Sequence, residues 1–392
     1  MNSTAHIPLS LYVHIPWCVR KCPYCDFNSH EAAAELPERD YVRMLGADLE
    51  HYQDRCEGRR ISSVFFGGGT PSLFSAKAIG DILELADQSV GLEENCEITL
   101  EANPGTFEQQ RFSNYRRAGV NRLSIGIQSF NPQALQALGR IHSDQEALKA
   151  VAMARQAGFD NINLDLMFGL PEQSLELALT DLQIAMDLQP EHLSWYELTI
   201  EPNTAFYSRP PTLPEDDDIA TINDAGLELL AAHGYDRYEV SAFARAGRQC
   251  RHNLNYWKFG DYLGIGAGAH GKLTLSASGE IMRSQRNRMP AAYLASDPTQ
   301  GYSEKLVAKD EQPFEFLMNA LRLTQGVPAA TFAQRTFLDA GERDAVISGL
   351  RSRGYLDPDP ALIRPSAWGL RYLNQCLAEL LPDDNRIPLQ AE

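Results

Sequence analysis

From residue 9 to about residue 208, short β-rich runs alternate with longer amphipathic stretches, which restricts this part of the chain to βα units on a parallel sheet. The spacing predicts strands over Leu11–Ile15, Ser63–Phe66, Glu97–Leu100, Arg122–Ile127, Ile162–Met167 and Leu193–Leu198. It predicts helices over Pro37–Gln53, Ala76–Gln88, Phe107–Ala118, Pro132–Leu138, Asp144–Gln156 and Leu175–Leu188, with Gly119 and Gly158 as left-handed caps. Crossovers between parallel strands are right-handed, so these α/β units curl into a barrel or an open part of one.

That barrel is expected over residues 1–208. Residues 209–300 open on the run Arg209–Pro214, pass through a helix over Asp217–His233 and reach Tyr238–Ser241, a stretch that can extend the sheet at an edge. Residues 301–385 change character. Helical patterns over Gln312–Leu323, Ala329–Phe337 and Glu342–Ser352, a turn at Tyr355–Pro360 and a last helix near Trp368–Leu381 read as a mostly helical, winged-helix-like module. Residues 386–392 read as a frayed tail.

With 35 basic against 52 acidic residues the net charge is -17, which argues against nucleic acid as a partner. No run approaches the roughly 18 apolar residues of a membrane span, and Met1–Pro8 lacks a secretion-signal pattern, so a cytoplasmic location is expected. Of seven cysteines, Cys56, Cys96, Cys250 and Cys376 are scattered without framework spacing, which suits buried thiols in a reducing compartment.

The other three, Cys18, Cys22 and Cys25, follow the first strand at Cys-x3-Cys-x2-Cys spacing. Three thiolates can hold three irons of a cubane cluster and leave the fourth iron open. Structural zinc is the alternative and would recruit His14 or His30 as a fourth ligand, while ferredoxin-type clusters use four cysteines. Loops at the C-terminal ends of barrel strands carry active sites. Here they supply Gly67–Ser72, Glu101–Thr106, Gln128, Asp165 and Thr199. The Gly67-Gly68-Gly69-Thr70 turn lacks the Gly-Lys-Ser/Thr ending of a phosphate loop. Beside an open iron it suits the ammonium and carboxylate of an amino acid, because glycine lets backbone approach a ligand without a Cβ clash.

The cysteine loop, the Gly-Gly-Gly-Thr-Pro turn and the six βα units together resemble the radical S-adenosylmethionine superfamily, whose core is a partial (β/α)6 barrel. The resemblance implies a [4Fe-4S] cluster on Cys18, Cys22 and Cys25, S-adenosyl-L-methionine at the open iron, and a protein that positions and shields the cofactor. Tyr24 is expected near the adenine. Within the superfamily, Tyr12–Pro16, Glu101, Asn121–Phe130, Gly139-Arg140 and Asn163–Pro171 look like the branch containing oxygen-independent coproporphyrinogen III dehydrogenase, over nearly the whole chain. On that match Tyr12, Gly68, Gly69, Thr70, Glu101, Gln128, Arg140 and Asp165 take the positions that contact S-adenosylmethionine. Carboxylates and an amide can hold ribose hydroxyls and an ammonium, and an arginine can hold a carboxylate.

Two departures separate the chain from the decarboxylating member of that branch. Phe27 stands where the dehydrogenase has a further cysteine, and the first strand begins almost at once. Instead, His252-Asn253-Leu254-Asn255-Tyr256-Trp257 is similar to the His-Asn-x-x-Tyr-Trp motif of the HemW family of heme chaperones. That likeness implies heme as a further ligand, held through His252 with Asn253, Tyr256 and Trp257, and Arg248, Arg251 and Lys258 near its propionates. Spacing alone favours His252 and Asn253 capping a turn with Tyr256 and Trp257 filling core, and His270 is a second candidate that reads rather as a loop histidine.

The expected function is a cytosolic heme chaperone that passes heme to respiratory acceptor proteins, on a cofactor site that leaves cleavage of S-adenosylmethionine open. The alternative is a radical oxidative decarboxylase of coproporphyrinogen III or of another tetrapyrrole. A radical enzyme acting on RNA has only the winged-helix-like tail in its favour and the net charge against it. Transient membrane contact goes with a respiratory acceptor, and a heme-dependent dimer stays open.

Overall fold

The structure, a computed structural model, describes residues 7–32, 35–105, 111–275, 278–297 and 300–381. Thr106, the first turn of the helix expected over 107–118 and the tail 386–392 lie outside the described residues. Six parallel strands run in chain order: β1 (Leu9–Ile15), β2 (Ile61–Gly68), β3 (Leu92–Ala102), β4 (Arg122–Gln128), β5 (Ile162–Phe168) and β6 (His192–Glu197). Between them lie α1 (Glu38–Gln53), α2 (Ala76–Ser89), α3 (Phe112–Arg117), α4 (Pro132–Ala137), α5 (Asp144–Gln156) and α6 (Leu175–Asp187). All six expected strands are present, each within two residues of its expected start and end except β3, which starts five residues earlier.

The helix boundaries have local causes. Ser75, Ser143 and Ser174 accept backbone N–H bonds at the starts of α2, α5 and α6, and Glu146 completes a capping box with Ser143. Gly119 and Gly158 take φ of 114° and 88° just past α3 and α5, the left-handed turn expected of them.

Parallel strands covered on both faces normally read as continuous apolar runs. Here alternate residues are polar. Leu9, Leu11, Val13 and Ile15 of β1 join an apolar cluster with Leu45, Leu49, Ile79 and Ile82 of α1 and α2. Residues of the opposite parity face inward, where the Ser10 and Ser63 hydroxyls meet at 2.7 Å. The same inner face carries Glu97 and Glu101 of β3, Ser124 of β4, Asn163 and Asp165 of β5, and Ser194 of β6, which the sheet register sets side by side. The interior of this barrel is therefore a site.

The sheet does not close on itself among the described residues. Beyond β6 it continues antiparallel through Ala242–Ala244 to Asp236–Glu239, the edge extension expected of this region. On the other side of β1 it continues through Asp261–Ile265, parallel to β1, then His270–Leu275, Glu280–Arg286 and Tyr302–Leu306. The segment after residue 208 thus extends both edges of a twelve-stranded sheet.

Past residue 306 the chain forms α-helices Gln312–Ala320, Ala330–Thr336 and Ala340–Ser352, with a two-stranded pair of Val327–Pro328 and Leu362–Ile363 as the wing. The helix expected near Trp368–Leu381 is two short ones, Ala367–Arg371 and Leu373–Ala378. A second apolar cluster, including Phe316, Leu317, Phe332 and Ile347, also takes in Phe259 and Ile281, which packs this module onto the sheet extension.

Candidate functional site

Cys18, Cys22 and Cys25 are half-buried and line a cavity of about 590 Å³, well within the range of small-ligand sites. The loop is tied down on both flanks. Thr70 N donates to Trp17 O at 2.7 Å, Ala32 N to Cys18 O at 2.8 Å, and Asn28 Nδ2 to Ala267 O and Arg288 O at 2.9 and 2.8 Å. Burial pushes the Cys18 and Cys25 thiols up, offset in part by hydrogen bonds from the Thr70 and Ser29 hydroxyls.

These donors fit a cubane cluster better than zinc. Among the described residues no three His, Cys, Asp or Glu side chains converge on a point that one ion could occupy, whereas a cubane spreads its thiolates over separate irons. Neither histidine considered as a fourth zinc ligand is offered to the sulfurs. His14 bonds the Tyr12 hydroxyl through Nδ1 and Asn28 O through Nε2, and His30 Nε2 lies 3.2 Å from Asn28 Oδ1.

The glycine turn owes its composition to space. A Cβ on Gly68, where φ is +111°, would sit 2.5 Å from the His14 ring, and one on Gly69 would sit 2.5 Å from Trp17 O. Packing this close brings Thr70 against Cys18, and Asn103 Nδ2 donates to Thr70 Oγ1 at 3.1 Å. Gly68 N donates to Glu101 Oε2 at 3.3 Å.

Glu101, Gln128, Arg140, Asp165 and Tyr24 line the same cavity as the cysteines, Gly68, Gly69 and Thr70. Burial, with the neighbouring Asp165 carboxylate, pushes Glu101 up to about 8. Burial also raises Asp165, against hydrogen bonds from Ser194, Asn163 and Ser124. Two carboxyls so placed favour a cation between them. Gln128 sits at φ 72° beside a register shift between β4 and β5, and its Oε1 accepts from the Tyr196 hydroxyl at 2.7 Å. Arg140 Nη2 donates to Asn103 Oδ1 and Gly126 O at 2.7 and 2.6 Å, and its Nη1 lies 3.6 Å from Cys22 Sγ.

Tyr12 is not among the cavity residues. Its hydroxyl meets His14 and its ring packs beside the rings of Phe65 and His252. Asn103, within the expected loop Glu101–Thr106, lines the cavity too, and sequence reasoning missed Ser124, Ser194, Tyr196, Glu197, Glu239, Ser241 and Arg322. Strand parity carried the signal for Ser124 and Ser194, both inward-facing partners of named residues.

The His252 run forms the helix Arg251–Trp257, packed against β1 and β2. Its N-terminal amides are capped by Glu97, whose Oε1 accepts from Arg251 N at 2.9 Å and His252 N at 3.3 Å. His252 is 1% exposed, with Nδ1 3.2 Å from Ser63 Oγ and Nε2 2.9 Å from the Tyr256 hydroxyl. Burial, then the charge of Arg122, push it down to about 3, so it is neutral. Both ring nitrogens are engaged inside the protein, and the imidazole is enclosed rather than facing the cavity.

Tyr256 packs on Tyr262, Trp257 carries the Arg322 guanidinium over its ring at 4.4 Å, and of the run only Asn253 lines the cavity. Two of the three basic residues expected near propionates have acidic partners. Arg251 meets Glu93 at 3.3 Å and Arg248 meets Asp160 at 4.0 Å.

Comparison with known proteins agrees with this geometry. The radical SAM superfamily model matches residues 12–182, and the HemN C-terminal domain model matches residues 307–372. The chain is 49% identical over 381 residues to the heme chaperone HemW of Haemophilus influenzae and 48% identical over 376 residues to that of Escherichia coli, in each case across 96% of this chain and 99% of the relative. The solved structure of coproporphyrinogen III oxidase (HemN) from Escherichia coli, described as a radical SAM enzyme, superposes with a TM-score of 0.77 at 23% identity, covering 95% of this chain and 90% of that one. That likeness carries the fold.

Proposed function

This chain belongs to the HemW family of heme chaperones within the radical SAM superfamily, and we infer from that membership that it binds heme and delivers it to acceptor proteins. The observation that carries the reading is the 48–49% identity across 99% of the length of named heme chaperones. The cavity supplies the scaffold the family requires, a [4Fe-4S] cluster with S-adenosylmethionine. When bound, the reduced cluster supplies an electron to the sulfonium of the cofactor.

The residues of the chain bind and orient. Cys18, Cys22 and Cys25 hold the cluster, and the edge Gly68–Thr70 offers backbone to the amino-acid end of the cofactor. Glu101 and Asp165 favour its positive charge, Gln128 and Arg140 take its polar groups, and Tyr24 flanks its adenine. Tyr12 holds His14 under Gly68 from behind the cavity wall.

Among the described residues no helix is long and apolar enough to cross a membrane. We place the chain in the cytoplasm, with membrane-bound respiratory proteins as acceptors and contact with the membrane confined to delivery. Dimerisation on loading belongs to the same reading, and sedimentation of the loaded against the heme-free chain tests it. The heme reading itself is tested by titrating the anaerobically reconstituted chain with hemin and assaying the same sample for decarboxylation of coproporphyrinogen III. A saturable Soret change without protoporphyrinogen is expected; turnover without heme binding would overturn the reading.

A further inference from the structure

The cavity does not end at the cofactor residues. From the cysteine loop at the C-terminal ends of the strands it continues to Glu239, Ser241, Asn253 and Arg322. Arg322 comes from the C-terminal module, Asn253 from the His252 helix, and Glu239 and Ser241 from the edge beyond β6. Three separate parts of the chain meet at this end of the cavity.

Arg322 is held like a receptor. Its guanidinium carbon lies 4.4 Å over the Trp257 ring, and Nη2 donates to Glu239 Oε2 at 3.2 Å. Its Nε has no partner but is closed to solvent, so the donors open to the cavity are those of Nη1 and Nη2, on a side chain that is 31% exposed. A guanidinium carries five N–H donors in a planar fork, so one bond to Glu239 leaves capacity for a second carboxylate. Glu239 is 4% exposed and is itself fixed, since Oε1 accepts from Ser241 N at 2.9 Å. Glu197 on the same cavity wall adds negative charge, so a strongly acidic site would here hold one arginine with an unfilled donor.

We propose that Arg322, backed by Trp257 and flanked by Asn253, is a carboxylate subsite at the end of the cavity remote from the cysteine loop, and that it takes a propionate of the heme. The propionate assignment rests on the heme-chaperone reading. The methionyl carboxylate of S-adenosylmethionine has the same chemistry, but the amino-acid end of the cofactor belongs at the Gly68–Thr70 edge beside the cysteines. On this assignment the His252–Trp257 run serves heme by building the floor of the cavity and bracing Arg322, with its histidine as part of the brace. Glu239 competes with the incoming carboxylate for the guanidinium.

The test uses the full-length, cluster-reconstituted chain and its Arg322→Gln, Glu239→Gln and double variants, each checked for an unchanged circular dichroism melt. Each is titrated with hemin, with hemin dimethyl ester and with S-adenosylmethionine. Arg322→Gln is expected to weaken hemin about tenfold or more while leaving the ester unchanged, as loss of a charge-assisted bond requires. Glu239→Gln is expected to tighten hemin, a change of opposite sign that a merely structural pair would not give. The double variant removes the buried orphan carboxylate that Arg322→Gln alone leaves, and it should match the weak hemin binding of Arg322→Gln.

Equal weakening of hemin and its ester by Arg322→Gln, or no change in any ligand, overturns the subsite. If that substitution weakens S-adenosylmethionine alone, the propionate assignment is overturned together with the placement of the cofactor's amino-acid end at Gly68–Thr70. A wild-type chain that binds no hemin would instead sink the heme reading on which the propionate assignment rests.

Discussion

The cysteine loop and the His252 helix were both singled out by short motifs, yet they place their polar atoms in opposite ways. Cys18, Cys22 and Cys25 face a cavity, and among the described residues no ligand set completes them, while His252 is fully enclosed with both nitrogens bonded to Ser63 and Tyr256. Around the loop the strands end, and backbone and carboxyl groups are left for something else to fill. Around the helix the same kinds of group are spent on each other. A motif made of ligating residue types marks a ligand site only where the fold leaves those atoms unpartnered.

The largest effect expected from breaking this contrast is at the cysteines. Replacing any one of Cys18, Cys22 or Cys25 by Ser should abolish anaerobic assembly of a [4Fe-4S] cluster, read as iron and sulfide per chain, while the thermal unfolding of the cluster-free chain stays close to wild type. A cluster that still assembles at full occupancy would remove that residue from the ligand set.

Next comes the turn that shapes the cavity. Gly69→Ala forces a Cβ to 2.5 Å from the carbonyl of Trp17, an overpacking that should cost about 1–3 kcal/mol in denaturant unfolding. Gly158→Ala, with nothing within 4 Å but φ at +88°, should cost about 1 kcal/mol from backbone strain alone. Equal costs at the two sites would contradict the close approach that shapes the cavity edge.

The two regions should also titrate in opposite directions. Glu101 has its folded pKa raised from 4.5 to about 8, so the stability it contributes to the cofactor-free protein is present below 4.5 and lost as pH rises through about 8. His252 has its folded pKa lowered from 6.5 to about 3, so its contribution is present above 6.5 and lost as pH falls toward 3. Glu101→Gln should flatten the alkaline limb of the stability profile and leave the acid limb unchanged. If the alkaline limb does not respond, Glu101 is not held protonated in the cavity.

The barrel was legible because its alternation is long-range: six apolar strands separated by capped helices leave few other folds. Most of the cavity was legible for a related reason, since residues at strand ends share one rim whatever the details of the loops. Two kinds of feature were hidden. The strand Asp261–Ile265 beside β1 contains Gly264 and is flanked by Gly260 and Gly266, and its pairing partner lies about 250 positions earlier in the chain, so no local pattern reveals it. The orientation of His252 was hidden as well. Residues four apart share a helix face, so His252 and Tyr256 suit a ligand site and a hydrogen-bonded core pair equally. Only Ser63, supplied by β2, decides between them. Arg322 joins the cavity from another module, and nothing near it in sequence announces that.

The contrast between a cavity left open for ligands and a helix spent on structure is tested most directly by a hemin titration of the His252→Ala chain after cluster reconstitution, under conditions where it is folded. Losing the imidazole leaves the Tyr256 hydroxyl unpartnered, while Ser63 keeps its bond to Ser10, and should lower stability by about 1–3 kcal/mol. The Soret change and the hemin affinity are expected to match wild type. A folded His252→Ala chain that has lost its Soret change would show that the imidazole leaves its pocket to bind iron, and would contradict the account.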